Sequence, residues 1–229
     1  KKVEGRNFSI RKNVLNYDDV MNTQREIIYK QRSQVLDGED LHKDILKMME
    51  DLITSTVNLY LSDQDDRDSW NMVGLKEYFL GWLIDDEDLI FTNDELRNVS
   101  REDVTNALNE KCGEIYQAKE EEYGSDVLRE VERAILLKVV DTKWMAHIDD
   151  MEELKRGIGL RSYGQKNPVI EYRYEGFEMF DAMVESIRED TVRALLTIRL
   201  QRNEPPKREQ VVEIDAPNAG AGDGSFSEQ

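Results

Sequence analysis

The sequence predicts an all-α protein, and three observations support that fold class. All four prolines lie at or after residue 168, so most of the chain lacks the strongest helix breaker. Apolar residues recur at steps of three and four over long stretches, the spacing that places side chains on one face of a helix. Charged residues make up 35% and apolar residues 39% of the chain, which suits long helices with wide solvated faces.

Residues 8–36 are predicted to form one long helix, spanning roughly 40 Å at 1.5 Å per residue. A strict seven-residue repeat marks one face: Val14, Met21, Ile28 and Val35. The intervening positions, which a coiled coil would fill with apolar residues, hold Tyr17, Gln24 and Gln31. We therefore expect the helix to pack on later helices. Asp18 and Asp19 are read as solvated or ion-paired side chains, with a catalytic carboxylate pair as the open alternative.

Residues 38–124 are predicted to form a separate acidic helical domain, because Asp37-Gly38 is a typical helix end. Its predicted inward-facing residues are Ile45, Met48, Met49, Leu52, Ile53, Val57, Leu61, Trp70, Leu75, Tyr78, Phe79, Trp82, Leu83, Leu108, Ile115 and Tyr116. Capping boxes are expected at Thr92–Glu95 and Ser100–Asp103. The domain carries 23 acidic and 8 basic residues; its acidic runs at 85–88 and 120–122 are read as solvated surface.

Residues 125–200 are predicted to form two long helices folded back on each other, an αα-hairpin. The outgoing helix is expected to pack through two rows: Leu128, Val131, Ile135 and Val139, then Leu137, Val140, Trp144, Ile148 and Met151. The returning helix is expected to pack through Phe177, Phe180, Val184, Ile187, Leu195 and Ile198. Pro168 should lie near the start of the second helix. Residues 201–229, rich in Gly, Ala and Pro, are read as a flexible tail or linker.

The connection between the two long helices, Arg156 to Pro168, has an unusual composition. It contains three glycines and no acidic residue, in a chain of net charge −18. Its basic residues are Arg156, Arg161 and Lys166, and Ile158, Leu160 and Tyr163 are expected to be exposed beside them. A plain connector and a contact surface are both consistent with this composition, since loops held by rigid scaffolds often carry function.

The sequence gives no positive sign of catalytic or cofactor chemistry. It lacks the phosphate-binding patterns G-x-x-x-x-G-K-[ST] and G-x-G-x-x-G. Glu39 and His42 give one E-x-x-H spacing where a di-iron bundle needs two, and His147 is read as a packing or surface residue. The single Cys112 cannot form an internal disulfide or a four-cysteine zinc site. No catalytic, cofactor or metal residue is therefore expected, and the interpretation from residues alone is a helical interaction module.

Several broader expectations follow from charge and hydropathy. An acidic surface opposes general nucleic-acid binding, so nucleic acid is not an expected partner. No apolar run approaches the roughly 20 residues of a membrane-spanning helix, and no signal peptide is recognised. The expectation is a soluble, cytosolic chain, and the absence of an initial Met suggests a piece of a longer protein.

Two long runs resemble the SecA family, the motor ATPases of the bacterial preprotein translocase. The first is RNFSIRKNVLNYDDVMNTQREIIYKQR, from Arg6 to Arg32. The second is WMAHIDDMEELKRGIGLRSYGQKNPVIEYRYEGFEMFDAM, from Trp144 to Met183. The resemblance covers about residues 1–200, more loosely in the acidic middle. It implies a helical scaffold helix at 1–37, a helical wing domain at 38–124 and a two-helix finger at 125–200.

The resemblance also implies a function for the tip of the finger. In that family the fingertip enters the cytoplasmic mouth of the SecY channel and contacts the moving polypeptide, chiefly through a tyrosine that matches Tyr163. In that family the two-helix finger also restrains ATP hydrolysis by the motor. The implied contact residues are Tyr163, Arg161, Lys166, Ile158 and Leu160.

The family's other features imply partners and limits. The expected partners are the SecY channel complex, preproteins and the nucleotide-binding domains of the parent chain, with a homodimer of the parent possible. The expected location is the bacterial cytoplasm and the cytoplasmic face of the membrane. The 229 residues lack the family's nucleotide-binding domains and cysteine-rich zinc tail, so ATP and magnesium belong to the parent protein. The alternative is a freestanding, non-catalytic scaffold or adaptor that binds partners through its acidic wing.

Overall fold

The computed structural model describes residues 2–37, 41–62, 70–89, 99–161 and 167–200, with only the backbone described at 2–14 and 159–161. These residues are helical apart from turns and one isolated bridge between Leu80 and Ile84, which confirms the all-α class. The helices are α1 (Lys2–Leu36), α2 (His42–Tyr60), α3 (Met72–Phe79), α4 (Arg101–Tyr123), α5 (Ser125–Arg161) and α6 (Pro168–Thr197). The described residues up to Ile198 belong to one compact unit.

Helix α1 begins earlier than the apolar pattern indicated, at Lys2 instead of Phe8. Its 35 residues correspond to roughly 50 Å of helix. Ile28 and Val35, two residues of the predicted seven-residue repeat, are buried against the rest of the unit. The helix packs on both α5 and α6, as expected for a helix without a coiled-coil partner of its own.

Helices α2, α3 and α4 lie in the segment predicted to be a separate acidic domain, and we call these three helices the wing. Its predicted core is largely confirmed, with Ile45, Val57, Leu61, Leu75 and Phe79 all fully buried. At the start of α4, the side chains of Ser100 and Asp103 each accept a hydrogen bond from the other's backbone N–H, which confirms that capping box. The box predicted at residues 92–95 lies outside the described residues.

A single glycine allows α5 to begin directly after α4. Gly124 has φ +85° and ψ 148°, a region of backbone space that is essentially restricted to glycine. Its N–H donates to the Glu120 carbonyl and its carbonyl accepts from Leu128, so the corner satisfies the ends of both helices. The wing is thereby joined to α5 without a loop.

Helices α5 and α6 run antiparallel over their described contacts. Lys143 Nζ lies 2.6 Å from Asp190 Oδ2. Further along α5, Met151 packs against Gly176 of α6, where an added Cβ atom would lie 2.7 Å from the Met151 methyl group. Later residues of α5 therefore contact earlier residues of α6, which makes the two helices antiparallel. The connection at residues 162–166 lies outside the described residues.

One assignment of the inward faces was incomplete and one was wrong. On α5 Leu128, Trp144 and Met151 are buried as predicted, and Val131 and Ile135 are partly buried against the core, but the predicted rows omitted the buried Glu132 and Leu136. On α6 Phe177 is 63% exposed, because the backbone of the neighbouring Gly176 faces the packed side of the helix. Apolar spacing alone could not indicate that a Glu and a Gly occupy buried positions.

Trp144 tests how far the stability of the fold depends on contacts between α5 and α6. The side chain is 5% exposed, and its ring centroid lies 5.7 Å from that of His147, which in turn contacts Phe180. We expect Trp144→Ala to lower the free energy of unfolding by about 3–5 kcal/mol, since it opens a large cavity. The neighbouring Met145 is 60% exposed, so Met145→Ala should change the free energy of unfolding by less than about 0.5 kcal/mol. Urea unfolding measures both; equal effects would contradict the burial assigned to Trp144.

Candidate functional site

The candidate site is the end of the α5–α6 pair, residues 156–168, which we call the tip. Helix α5 continues through Gly157 and Gly159 to Arg161, so the connection is shorter than the glycine-rich run predicted. Helix α6 begins at Pro168, and the Asn167 side chain caps it by accepting from the Val169 N–H at 3.0 Å. Arg161 and Leu160 therefore belong to the last turn of α5, whereas Tyr163 and Lys166 lie outside the described residues.

Ile158 does not belong to an exposed contact surface, contrary to the prediction. Its side chain is 2% exposed and packs with Met151 and Tyr172 in a small apolar cluster at the base of the tip. The reason is that Ile158 lies seven residues after Met151, two helical turns along the same buried face of α5. Its role is to hold the base of the tip together.

Helix α1 completes that cluster. The Tyr17 ring meets the Tyr172 ring edge-on, with 4.7 Å between centroids. Burial, with Asp18 and Tyr17 nearby, raises the pKa of Tyr172 to about 12, so the phenol stays neutral at physiological pH. On the outside, Lys155 pairs with Asp18 at 3.2 Å. We call this three-helix assembly of α1, α5 and α6 the stem.

One buried glutamine connects all three helices of the stem. The Gln24 side chain on α1 is enclosed, at 6% exposure. Its Nε2 donates to the Gly176 carbonyl of α6 at 2.8 Å, and its Oε1 accepts from His147 Nε2 of α5 at 2.9 Å. His147 is 3% exposed, and burial lowers its pKa, which favours the neutral ring. This confirms a packing role for His147 and fixes the register of three helices at a single point.

Gly176 lies against the packed side of the stem. A Cβ there would lie 2.7 Å from the Met151 methyl group and 3.7 Å from Val20. A larger residue at position 176 would therefore require the end of the flexible Met151 side chain to shift. The sequence marked Gln24 as an irregular position of the heptad, but gave no sign of its partners.

A second buried polar group connects the wing to the stem. Glu132 of α5 is 0% exposed and accepts a hydrogen bond from the Tyr116 hydroxyl of α4. His42 Nδ1 of α2 lies 3.0 Å from the same hydroxyl, and Arg129 lies 3.4 Å from Glu132. Burial raises the pKa of the Glu132 carboxyl, with partial opposition from Tyr116 and Arg129. Sequence reasoning missed this site because Tyr116 lies 16 residues from Glu132 and 74 from His42, beyond the reach of helical spacing.

The described residues hold no group of three His, Cys, Asp or Glu side chains placed to bind a metal ion. No helix among these residues is long and apolar enough to cross a membrane. The arrangement supports the tip mechanically, because α1 contacts both α5 and α6 at the base of the tip. A displacement of α1 would be transmitted to both α5 and α6 at Gln24.

A double-mutant cycle tests the connection made by Gln24. Gln24→Leu and His147→Leu should each lower the free energy of unfolding by about 1–3 kcal/mol, because each leaves a buried polar group without its partner. The two losses should be non-additive by about 0.5–3 kcal/mol. Gln24→Leu combined with Glu110→Ala, an exposed change in α4, is the additive control. Additivity in both pairs would show that Gln24 and His147 do not interact.

The pH dependence of stability tests the environment of Glu132. Its pKa in the folded protein is raised, so the folded state is favoured when the carboxyl is protonated and loses stability as pH rises above about 4.5. Glu132→Gln keeps an oxygen for Tyr116 and removes this titration. The stability of the original protein should therefore fall relative to the variant between pH 4.5 and neutrality. Parallel unfolding curves over that range would contradict the burial of a titrating carboxyl.

Comparison with known proteins gives consistent results over nearly the whole chain. The family model described as SecA Wing and Scaffold domain matches residues 1–199. The protein translocase subunit SecA of Acetivibrio thermocellus is 46% identical over 213 residues, 93% of this chain and 23% of the relative. That of Clostridium perfringens strain SM101 is 48% identical over 234 residues, 100% and 26% respectively. The chain thus spans about a quarter of these relatives, and it belongs to the SecA wing and scaffold domain family.

Proposed function

We propose that this chain is the C-terminal helical module of a SecA-type translocase, and that it couples an ATP-driven motor in the parent protein to movement of preproteins through the SecY channel. The observation that carries the proposal is the stem, in which α1 binds α5 and α6 directly below the tip. A tip that transmits force needs a base that does not deform, and close-packed interiors provide that rigidity.

The tip residues divide into support and contact roles. Ile158 is buried and supports the base. We assign contact with the channel and the moving polypeptide to Tyr163, Arg161, Lys166 and Leu160. A tyrosine ring supplies apolar contact that does not depend on sequence, and the two cations suit acidic groups and backbone carbonyls of a partner.

ATP chemistry is assigned to the parent protein. The 229 residues contain no phosphate-binding loop, and we propose that the isolated chain neither binds nor hydrolyses ATP. Its part in the motor is to restrain hydrolysis through the nucleotide-binding domains of the same parent chain. The corresponding location is the cytoplasm and the cytoplasmic face of the bacterial membrane.

Site-specific photo-crosslinking in the intact parent protein tests the assignment of Tyr163. A photoreactive amino acid would replace Tyr163, with a matched control at Glu121, an exposed residue of the wing. With a preprotein stalled in the channel, we expect adducts to preprotein and channel from position 163 and few from position 121. Predominant adducts from position 121 would support the adaptor alternative, in which the acidic wing is the binding surface.

Substitution of Tyr163 distinguishes a role in contacting partners from a role in folding. A contact role requires Tyr163 to be exposed, and substitutions at exposed positions change stability by less than about 0.5 kcal/mol. The proposal therefore predicts that Tyr163→Ala leaves the unfolding curve of this chain nearly unchanged. In the parent protein it should reduce preprotein transport, whereas Tyr163→Phe should retain most of it because the ring remains. Undiminished transport by Tyr163→Ala would contradict the contact role.

A further inference from the structure

A continuous line of residues runs along α6 at alternating steps of four and three, which keeps them on one face of the helix. Its members are Ile170, Tyr174, Phe177, Asp181, Val184, Arg188, Thr191 and Leu195. The two ends of this line have opposite environments. Thr191 and Leu195 are fully buried, whereas Ile170, Tyr174 and Phe177 are 63%, 64% and 63% exposed.

The buried end of the line is covered by a helix of the wing. Helix α2 packs on α6, and Asp51 of α2 lies 4.0 Å from Arg188. Where this cover ends, Val184 and Arg188 line an open groove of about 400 Å³, together with Met48 of α2 and Val140 of α5. The exposed end therefore continues an interface that the chain already forms with one helix.

The exposed end has the composition of a buried interface. An isoleucine, a tyrosine and a phenylalanine stand together on two helical turns, and aromatic side chains of this kind are enriched where proteins bind each other. Isolated exposed apolar residues are ordinary, but three aligned on one face form a contiguous strip. We call Ile170, Tyr174 and Phe177 the α6 strip.

The charges beside the strip constrain its partner. From Glu171 to Glu185 inclusive, α6 carries five acidic residues and one basic residue, Arg173. A second copy of the same helix would bring two acidic surfaces together, which is unfavourable at an interface. A partner with an apolar face and basic residues beside it would be complementary.

We propose that the α6 strip is the docking surface for an amphipathic helix with basic flanks, located in the part of the parent subunit outside this chain. Three observations support this occupant. The covered end of the same line binds a helix, most charged residues on this part of α6 are acidic, and this chain spans only 23–26% of the relatives named above. The inference rests on family membership and not on the proposed role of Tyr163.

Photo-crosslinking in the full-length parent subunit, purified without channel or preprotein, tests this surface. One probe would replace Phe177, and a matched control would replace Ala182, which is also exposed on α6 but lies off the strip. We expect position 177 to give a several-fold higher yield of crosslinks within the same chain. Mass spectrometry should place them in a Lys- or Arg-flanked apolar helix outside these 229 residues.

A charge substitution provides the second arm. Phe177→Glu and Ala182→Glu each add a carboxylate to an exposed position of α6, so both should leave the unfolding midpoint of this chain nearly unchanged. In the parent, only Phe177→Glu should abolish the crosslink formed by a probe at Tyr174. The proposal is overturned by equal yields at 177 and 182, by crosslinks between two copies, or by crosslinks that appear only after channel or preprotein is added.

Discussion

The structure depends on one buried amide that binds two helices at once. Gln24 donates to a backbone carbonyl of α6 and accepts from a histidine of α5, so sliding either helix would break a hydrogen bond inside an apolar environment. Apolar contacts tolerate small displacements, but an unpaired buried amide costs about 1–3 kcal/mol. The apolar residues therefore supply the stability of the stem, whereas Gln24 selects one alignment. The Tyr17–Tyr172 contact and the burial of Ile158 both require that alignment.

The junction with the wing uses a buried carboxyl group instead of an amide. Glu132 receives a hydrogen bond from Tyr116 and lies near Arg129, yet its second carboxyl oxygen has no hydrogen-bond partner among the described residues. Breaking such a site is costly, but its net contribution to stability is small because the carboxylate has lost its hydration. Gln24 in the stem and Glu132 at the wing junction thus each resist displacement, because moving either would leave buried polar groups without partners.

The sequence predicted those features that depend on local spacing. The helical class, the Ser100–Asp103 cap and the wing core follow from residues within a few turns of one another, and each is observed. The partners of Gln24 lie 123 and 152 residues away, and no single-chain pattern connects them. The resemblance to SecA supplied the family, which the family comparison confirms, and an expected role for Tyr163, which stays a prediction. The burial of Ile158 required coordinates, because glycines on both sides made it look like part of a loop.

The misassignment of Phe177 has the same physical origin as the α6 strip. Phe177, Phe180 and Val184 have the spacing of residues on one core face. The sequence did not separate them because the strip and the packed face of α6 both contain apolar residues. The packed face is set by Gly176, whose missing side chain admits α1 and Met151. Phe177 is thereby turned outward, along the line that the wing covers further down the helix. Phe177 is thus a residue type that favours burial on a face that is buried further along the helix, and this contrast is the reason for proposing the α6 strip as a docking surface.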